Sequence, residues 1–338
     1  MLQRLRAGLA RWRQPAPDPA IGKRIHRVEK DLHALTEQHE EVFRQLKQLQ
    51  SGVDGFEQNL RALTEQHEEV FRKLRHLQAG IDGLVRAAYI DPSKLPYPER
   101  LTASRFRLLS QNQEDGILLA LFQQIGTTSK TFVELGSGAT GGNAAMLAGE
   151  FGWTGLLVEG DQGKVEYAGR RFPRATAVCA WITPETVNDL LTQHGYAREV
   201  DLLSVDVDGV DYWVWKAITV CSARLVMLEY NSMFGADKAV TVPYDPTFNR
   251  RDHRFCYYGA SLAAMTQLSA SKGYRLVAVE PTGVNAFFLR NDVAPEIPAC
   301  DPARVYRIPD KYNELIREKQ LDVFKWARES GRELVEVG

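Results

Sequence analysis

Four carboxylates crowd the stretch DLLSVDVDGVD at 201–211: Asp201, Asp206, Asp208 and Asp211. Asp206 and Asp208 follow an apolar run of strand length, and a second such run, VMLEYN, ends on Glu229 and Asn231. Acids at neighbouring strand ends can act in two ways. With an amide they form a hard oxygen set, Asp206, Asp208, Glu229 and Asn231, suited to Mg²⁺ or Mn²⁺; or they take a proton from a reacting group. Asp201, at its strand's start, and Asp211, inside the following helix, receive no role. The plainer reading of the same residues is a loop, since Asp208-Gly209 is a favourable turn pair and Asp206 a serviceable helix cap. Trp213 and Trp215 read as packing residues.

A second cluster lies upstream. In FVELGSGATGGN, Gly136, Gly138 and Gly141 match GxGxxG between a strand and a helix, and Glu159 or Asp161 ends the next strand at about the fingerprint distance for a ribose hydroxyl. A turn of this kind serves either a dinucleotide or a sulfonium cofactor. Glu134, just ahead of the first glycine, separates the two: a carboxylate repels pyrophosphate at a helix N-terminus and suits a cationic amino-acid group. Further on, TVPYDPTFNRRDHRFCYYGASL at 241–262 is a polar insertion. Its His253 is a candidate general base if no metal is used, and Arg250, Arg251 and Arg254 suit an anionic acceptor such as a sugar phosphate or acidic glycan.

The elements that must position these residues follow from periodicity. Strand-like runs TFVELG, TGLLVEGD, ATAVCAW, DLLSVDVD, ARLVMLEYN, YRLVAVE and NAFFLR alternate with helical stretches, which predicts an α/β fold with a mostly parallel sheet. Ligands bind such sheets at the carboxyl ends of the strands, where the acids and glycines fall. A helix is expected from Glu114 and Asp115 onward. Residues 110–295 form this domain, 91–109 a Pro-bearing linker and 296–338 a helical tail.

Ahead of it lies a repeat: ALTEQHEEVFRQLKQLQSGVDGF at 34–56 recurs as ALTEQHEEVFRKLRHLQAGIDGL at 62–84. The spacing is four heptads, and the apolar a and d positions predict a coiled coil over 21–90, a long helix forming a rod of roughly 100 Å. His39 and His67 are the polar a residues; Phe43 and Phe71 at e widen the apolar face. Gly52, Gly55, Gly80 and Gly83 weaken the helix at the repeat ends. A homo-oligomer follows, dimer first and trimer second. Residues 1–20 comprise a basic amphipathic start, with Leu2, Leu5, Leu9 and Trp12 among arginines, and a Pro-rich spacer. Residues 1–13 suit peripheral contact with anionic lipid.

Lys plus Arg (42) nearly balance Asp plus Glu (43), so nothing global points to nucleic acid. The four cysteines form no CxxC pair, and a cytoplasmic enzyme, held in part at the inner membrane face, is expected.

VELGSG, LLVEGD and LLSVDVDG together resemble the first, second and fourth motifs of class I S-adenosylmethionine-dependent methyltransferases. The resemblance implies a Rossmann-like seven-stranded methyltransferase sheet over residues 110–292. It also implies that Glu134, Gly136, Ser137 and Gly138 hold the methionine moiety, that Glu159 holds the ribose, and that Trp181 in AWIT stacks on adenine, with Asp206 adjoining the cofactor. SVDVDG is similar to the FkbM-type stretch, and SQNQEDG with LEYN resembles bacterial methyltransferase-like proteins associated with surface polysaccharide. The expected activity is O-methylation of a sugar or glycan hydroxyl. An inactive scaffold and an NAD-dependent enzyme are the alternatives, the latter opposed by Glu134.

Overall fold

The computed structural model describes residues 19–49, separate positions between 63 and 89, 90–309 except Arg254, then Tyr312, Glu314, Ile316 and 322–338. The basic start at 1–13 lies outside the described residues, as does Arg254. The chain divides into two compact units between Asp91 and Pro92.

In the first unit a 31-residue helix runs Pro19–Leu49. Ile25, Val28, Leu32, Leu35, His39 and Val42 are half-buried at three- and four-residue spacing, so the apolar stripe is the covered one. The expectation of one straight rod fails. In a continuous helix His39 and His67 would stand about 42 Å apart, yet their Nε2 atoms lie 2.7 Å apart. His39 also meets the edge of Phe71 at 4.2 Å between ring centroids, and Phe43 lies 6.2 Å from His67. This crossed pattern places the helical segments on either side of residues 50–62 antiparallel, each repeat against its copy.

The second unit is built on seven strands: β1 (Thr131–Leu135), β2 (Thr154–Glu159), β3 (Ala175–Cys179), β4 (Glu199–Val205), β5 (Ser222–Glu229), β7 (Tyr274–Val279) and β8 (Asn285–Arg290). The spatial order is β3-β2-β1-β4-β5-β8-β7, with the first five parallel and β8 antiparallel to both its neighbours. All seven apolar runs enter this sheet. They read as near-continuous hydrophobic stretches because both faces are covered: Phe132, Leu202 and Met227 face one core, Val133, Leu203 and Val226 the other. Adjacent residues alternate between faces, as the pleat requires.

Two segments prove more integrated than their composition suggests. Within the expected linker, Leu101 and Ala103 are buried in the short helix Glu99–Ala103. Within the expected tail, β9 (Val335–Glu336) pairs with β6 (Val240–Thr241), and Val323 and Ala327 enter the core. Among the described residues no helix is long and apolar enough to cross a membrane.

Candidate active site

The carboxyl ends of β1, β2 and β4 open onto a cavity of about 790 Å³ lined by Gly136, Gly138, Glu159, Trp181, Asp206, Asp208, the strap residues Phe248, Arg250, Arg251 and His253, and their neighbours. The Gly-rich turn forms its near wall. Gly136 has φ +90° and a Cβ there would come within 1.7 Å of the Asp206 carbonyl oxygen, so only glycine lets β1 and β4 end this close together. Its N–H and that of Ser137 donate to the Val158 carbonyl at 2.9 Å, binding the turn to β2 as well.

Glu134 does not face the cavity. It is fully buried beneath the turn, where its carboxylate accepts from the N–H groups of Asn143 and Ala144 (3.1 and 3.0 Å) and from the Ser204 hydroxyl (3.0 Å). Its role is to hold the turn, so the expectation that it touches a cofactor is corrected. Ser137, 1% exposed, is likewise part of the turn's interior. Burial outweighs the three hydrogen bonds and raises the Glu134 carboxyl from 4.5 to about 8. The folded chain therefore holds a proton that the unfolded chain has released. That contribution to stability is complete below pH 4.5 and is lost as pH rises through about 8. Glu280 is raised to the same value, chiefly by burial. Glu134→Gln is thus expected to lower absolute stability but to make the decline between about pH 4.5 and 8 shallower, with Glu280 and the other raised carboxyls keeping the remainder. Urea midpoints across that range would check it; an unchanged slope would count against this account of Glu134.

Glu159 ends β2 on the cavity wall. One oxygen accepts from Gly138 N–H at 2.9 Å, and the other pairs with Lys164 at 3.3 Å. Trp181 is 58% exposed, presents its ring beside Gly160 and donates its indole N–H to the Pro246 carbonyl at 3.1 Å. An aromatic face beside a strand-end carboxylate is a fitting place for a planar base.

Asp206, Asp208 and Glu229 converge, each offering an oxygen within 4.8 Å of the others. Asn231 does not join them. It is buried, its Oδ1 accepts from Met233 N–H at 2.9 Å, and its Nδ2 donates to the Cys256 and Tyr258 carbonyls. The four-donor set is therefore not assembled. Arg250 enters instead, its Nη1 2.5 Å from Asp208 Oδ1 and 3.4 Å from Glu229 Oε1, with its guanidinium 3.6 Å from the Tyr258 ring centroid. Burial works against its charge, but Glu229, Tyr258 and Asp208 hold it protonated. The donor chemistry suits a divalent ion; the arrangement suits a guanidinium.

Asp206 is half-buried at the cavity floor, and burial followed by the charges of Asp211, Asp208 and Glu134 raises its carboxyl well above the usual range. Glu229 is raised in the same way, by burial and then Asp206. Asp211, given no role from sequence, organises the loop. Fully buried, it accepts from Val207 N–H at 2.7 Å and Gly209 N–H at 2.9 Å, fixing the bend that presents Asp206 and Asp208. Burial raises it to about 6. Gly209 is required because a Cβ would lie 2.3 Å from the Phe248 ring.

His253 stands on the cavity wall, stacked on Phe248 at 4.5 Å. Arg332 Nη1 lies 2.5 Å from its Nδ1. An arginine can only donate, so Nδ1 accepts and the neutral ring carries its proton on Nε2. Burial and Arg332 also lower its pKa. His253 thus offers a donor and not the general base expected from sequence.

No family model matches the chain, and no curated protein matches it. Among solved structures it is similar to an O-methyltransferase from Bacillus cereus in complex with SAH, at 13% identity over 61% of this chain and 86% of that one, TM-score 0.34. It is also similar to a SAM-dependent methyltransferase from Aquifex aeolicus, at 12% identity over 60% and 99%, TM-score 0.30. A third is a TehB-like SAM-dependent methyltransferase from Corynebacterium glutamicum, at 13% over 50% and 85%, TM-score 0.28. Scores of this size carry no inference about activity. The strand order and the antiparallel terminal pair, read from the chain itself, make its fold a Rossmann-like seven-stranded methyltransferase sheet.

Proposed function

We propose that the second unit transfers a methyl group from S-adenosylmethionine to a hydroxyl of a sugar or glycan. One observation carries this reading: Glu159, Asp206 and Asp208 line a cavity walled by Gly136 and Gly138, Glu229 converges on the two aspartates, and Arg250 and Lys164 are paired to these acids. A floor rich in carboxylates favours a cofactor bearing sulfonium and ammonium charges and disfavours the pyrophosphate of a dinucleotide. Trp181, Phe248 and His253 give flat faces suited to the adenine and a sugar ring. S-adenosylmethionine held by Gly136, Gly138, Glu159 and Trp181 would supply the methyl group and depart as the neutral thioether, and Asp206 would take the proton of the acceptor hydroxyl as the C–O bond formed and the C–S bond broke.

Around this activity, the first unit would join copies of the chain: Phe43 and Phe71 at its centre remain 47% and 38% exposed. The basic residues near the start would add contact with an anionic membrane face.

Isothermal titration with S-adenosylmethionine and with NAD, followed by transfer of labelled methyl to sugars and polysaccharide fractions, tests the proposal. Saturable binding of the sulfonium cofactor and not of NAD is expected. Binding of neither would leave an inactive scaffold; binding of NAD alone would overturn the reading.

A further inference from the structure

We infer that Arg250 is the resident cation of the Asp206–Asp208–Glu229 cluster, standing where a divalent ion would otherwise bind and keeping that ion out. The inference starts from how firmly the side chain is placed. Arg250 is not a solvated surface arginine: its side chain is 27% exposed, and three groups fix it, the Asp208 and Glu229 carboxylates and the Tyr258 ring. Its backbone lies in the single turn Arg250–Asp252, where Asn249 Oδ1 accepts from Arg251 N–H at 3.1 Å. The strap is thus shaped to deliver the guanidinium into the cluster.

Space decides the rest. A divalent ion needs carboxylate oxygens at about 2.0–2.6 Å. Arg250 Nη1 stands 2.5 Å from Asp208 Oδ1 and 3.4 Å from Glu229 Oε1, so an ion between those oxygens would overlap the guanidinium. The cluster has not lost its capacity for an ion. Glu229 Oε2 is buried without a hydrogen-bond partner, and three carboxylates still converge within 4.8 Å. Withdrawing the arginine would leave three acids facing one another with no cation, which is a metal site in waiting. Arg250 is accordingly a positioning residue: its Nη1 ties down Asp208 and Glu229 without engaging Asp206, which lines the cavity where the acceptor would come.

Titration with Mn²⁺, followed by the loss of the free-ion paramagnetic signal, tests the inference without reference to turnover. Wild-type chain is expected to take up no Mn²⁺ at the cluster, whereas Arg250→Ala is expected to gain one site with Kd on the order of 0.1 mM or tighter. The double variant Arg250→Ala, Asp208→Asn is expected to lose that site again. Arg250→Lys, a point charge reaching fewer oxygens, is expected to fall between. Stoichiometric uptake by wild type, abolished by Asp208→Asn, overturns the inference, and this arm stands even if Arg250→Ala does not fold. A folded Arg250→Ala without a new site also overturns it. The methyl-transfer reading enters only in one further arm, in which chelator leaves wild-type turnover unchanged. Absence of turnover there would indict the proposed activity, while the Mn²⁺ result would still decide the role of Arg250.

Discussion

Asp206→Asn is expected to lower kcat by about 10²- to 10⁴-fold, the range a positioned general base supplies, while leaving the Kd for S-adenosylmethionine within a few-fold. The substitution keeps the shape of the side chain and the backbone bond from Asp206 N–H to the Leu135 carbonyl at 2.9 Å. What it removes is a carboxylate with a heightened appetite for a proton, raised by burial and by four neighbouring acids. The sign of the pH dependence follows. A base works when deprotonated, so wild-type kcat should climb as pH passes upward through the raised pKa of Asp206, and the climb should vanish in Asp206→Asn. Loss of cofactor binding in step with kcat would point to a structural role instead, and a kcat within about fivefold of wild type would remove Asp206 from the chemistry.

The second large effect concerns stability, at the opposite end of β4. Asp201→Ala is expected to destabilise the second unit by about 3–5 kcal/mol, the cost of breaking a buried ion pair from one side. Asp201 is fully buried and accepts from the N–H groups of Thr128, Ser129 and Lys130 at 2.7–2.8 Å and from Arg224 at 2.9 Å. Alanine would strand those donors in the interior. Burial pushes the Asp201 carboxyl up, but the hydrogen bonds from Thr128 and Ser129 and the bond from Arg224 more than offset it and hold it low. The associated stability is present above the unfolded carboxylate value of about 3.9 and is lost as pH falls through the folded one. Denaturant midpoints at neutral and acidic pH would show a gap between wild type and variant that narrows in acid. A variant within about 1 kcal/mol of wild type at neutral pH would refute this account.

The strands were legible because burial on both faces leaves a local mark, a run of apolar residues, that requires no knowledge of partners. Gly136 and Glu159 were legible for a similar reason, since a turn between strand and helix restricts the residues that form it. Glu134 was legible as important but not as what it does, because only the fold shows that its carboxylate points into the turn and away from the cavity. Asp211 was harder to find: it accepts from N–H groups two and four residues before it, the reverse of the usual order in which an acid binds the backbone that follows. Arg250 and Arg332 could not be placed. Arg250 meets Asp208 across 42 positions and Arg332 meets His253 across 79, and no local pattern records such distant meetings. Asn231 illustrates the converse, a residue whose type and place suit a ligand but whose polar atoms are already committed to backbone.

The repeat was read with the right period and the wrong geometry, because a heptad pattern reports which face is covered and not what covers it. Its second copy supplies the cover for the first: His39 lies on His67 within one chain. Duplication has thereby turned an association that two separate helices would have to make by collision into one made at the fixed effective concentration of a tether. Pairing of the copies should therefore persist on the order of a thousandfold dilution, whereas any union of whole chains through Phe43 and Phe71 should dissolve. A helical signal that falls with dilution would mean that the pairing is borrowed from a neighbour and not made at home.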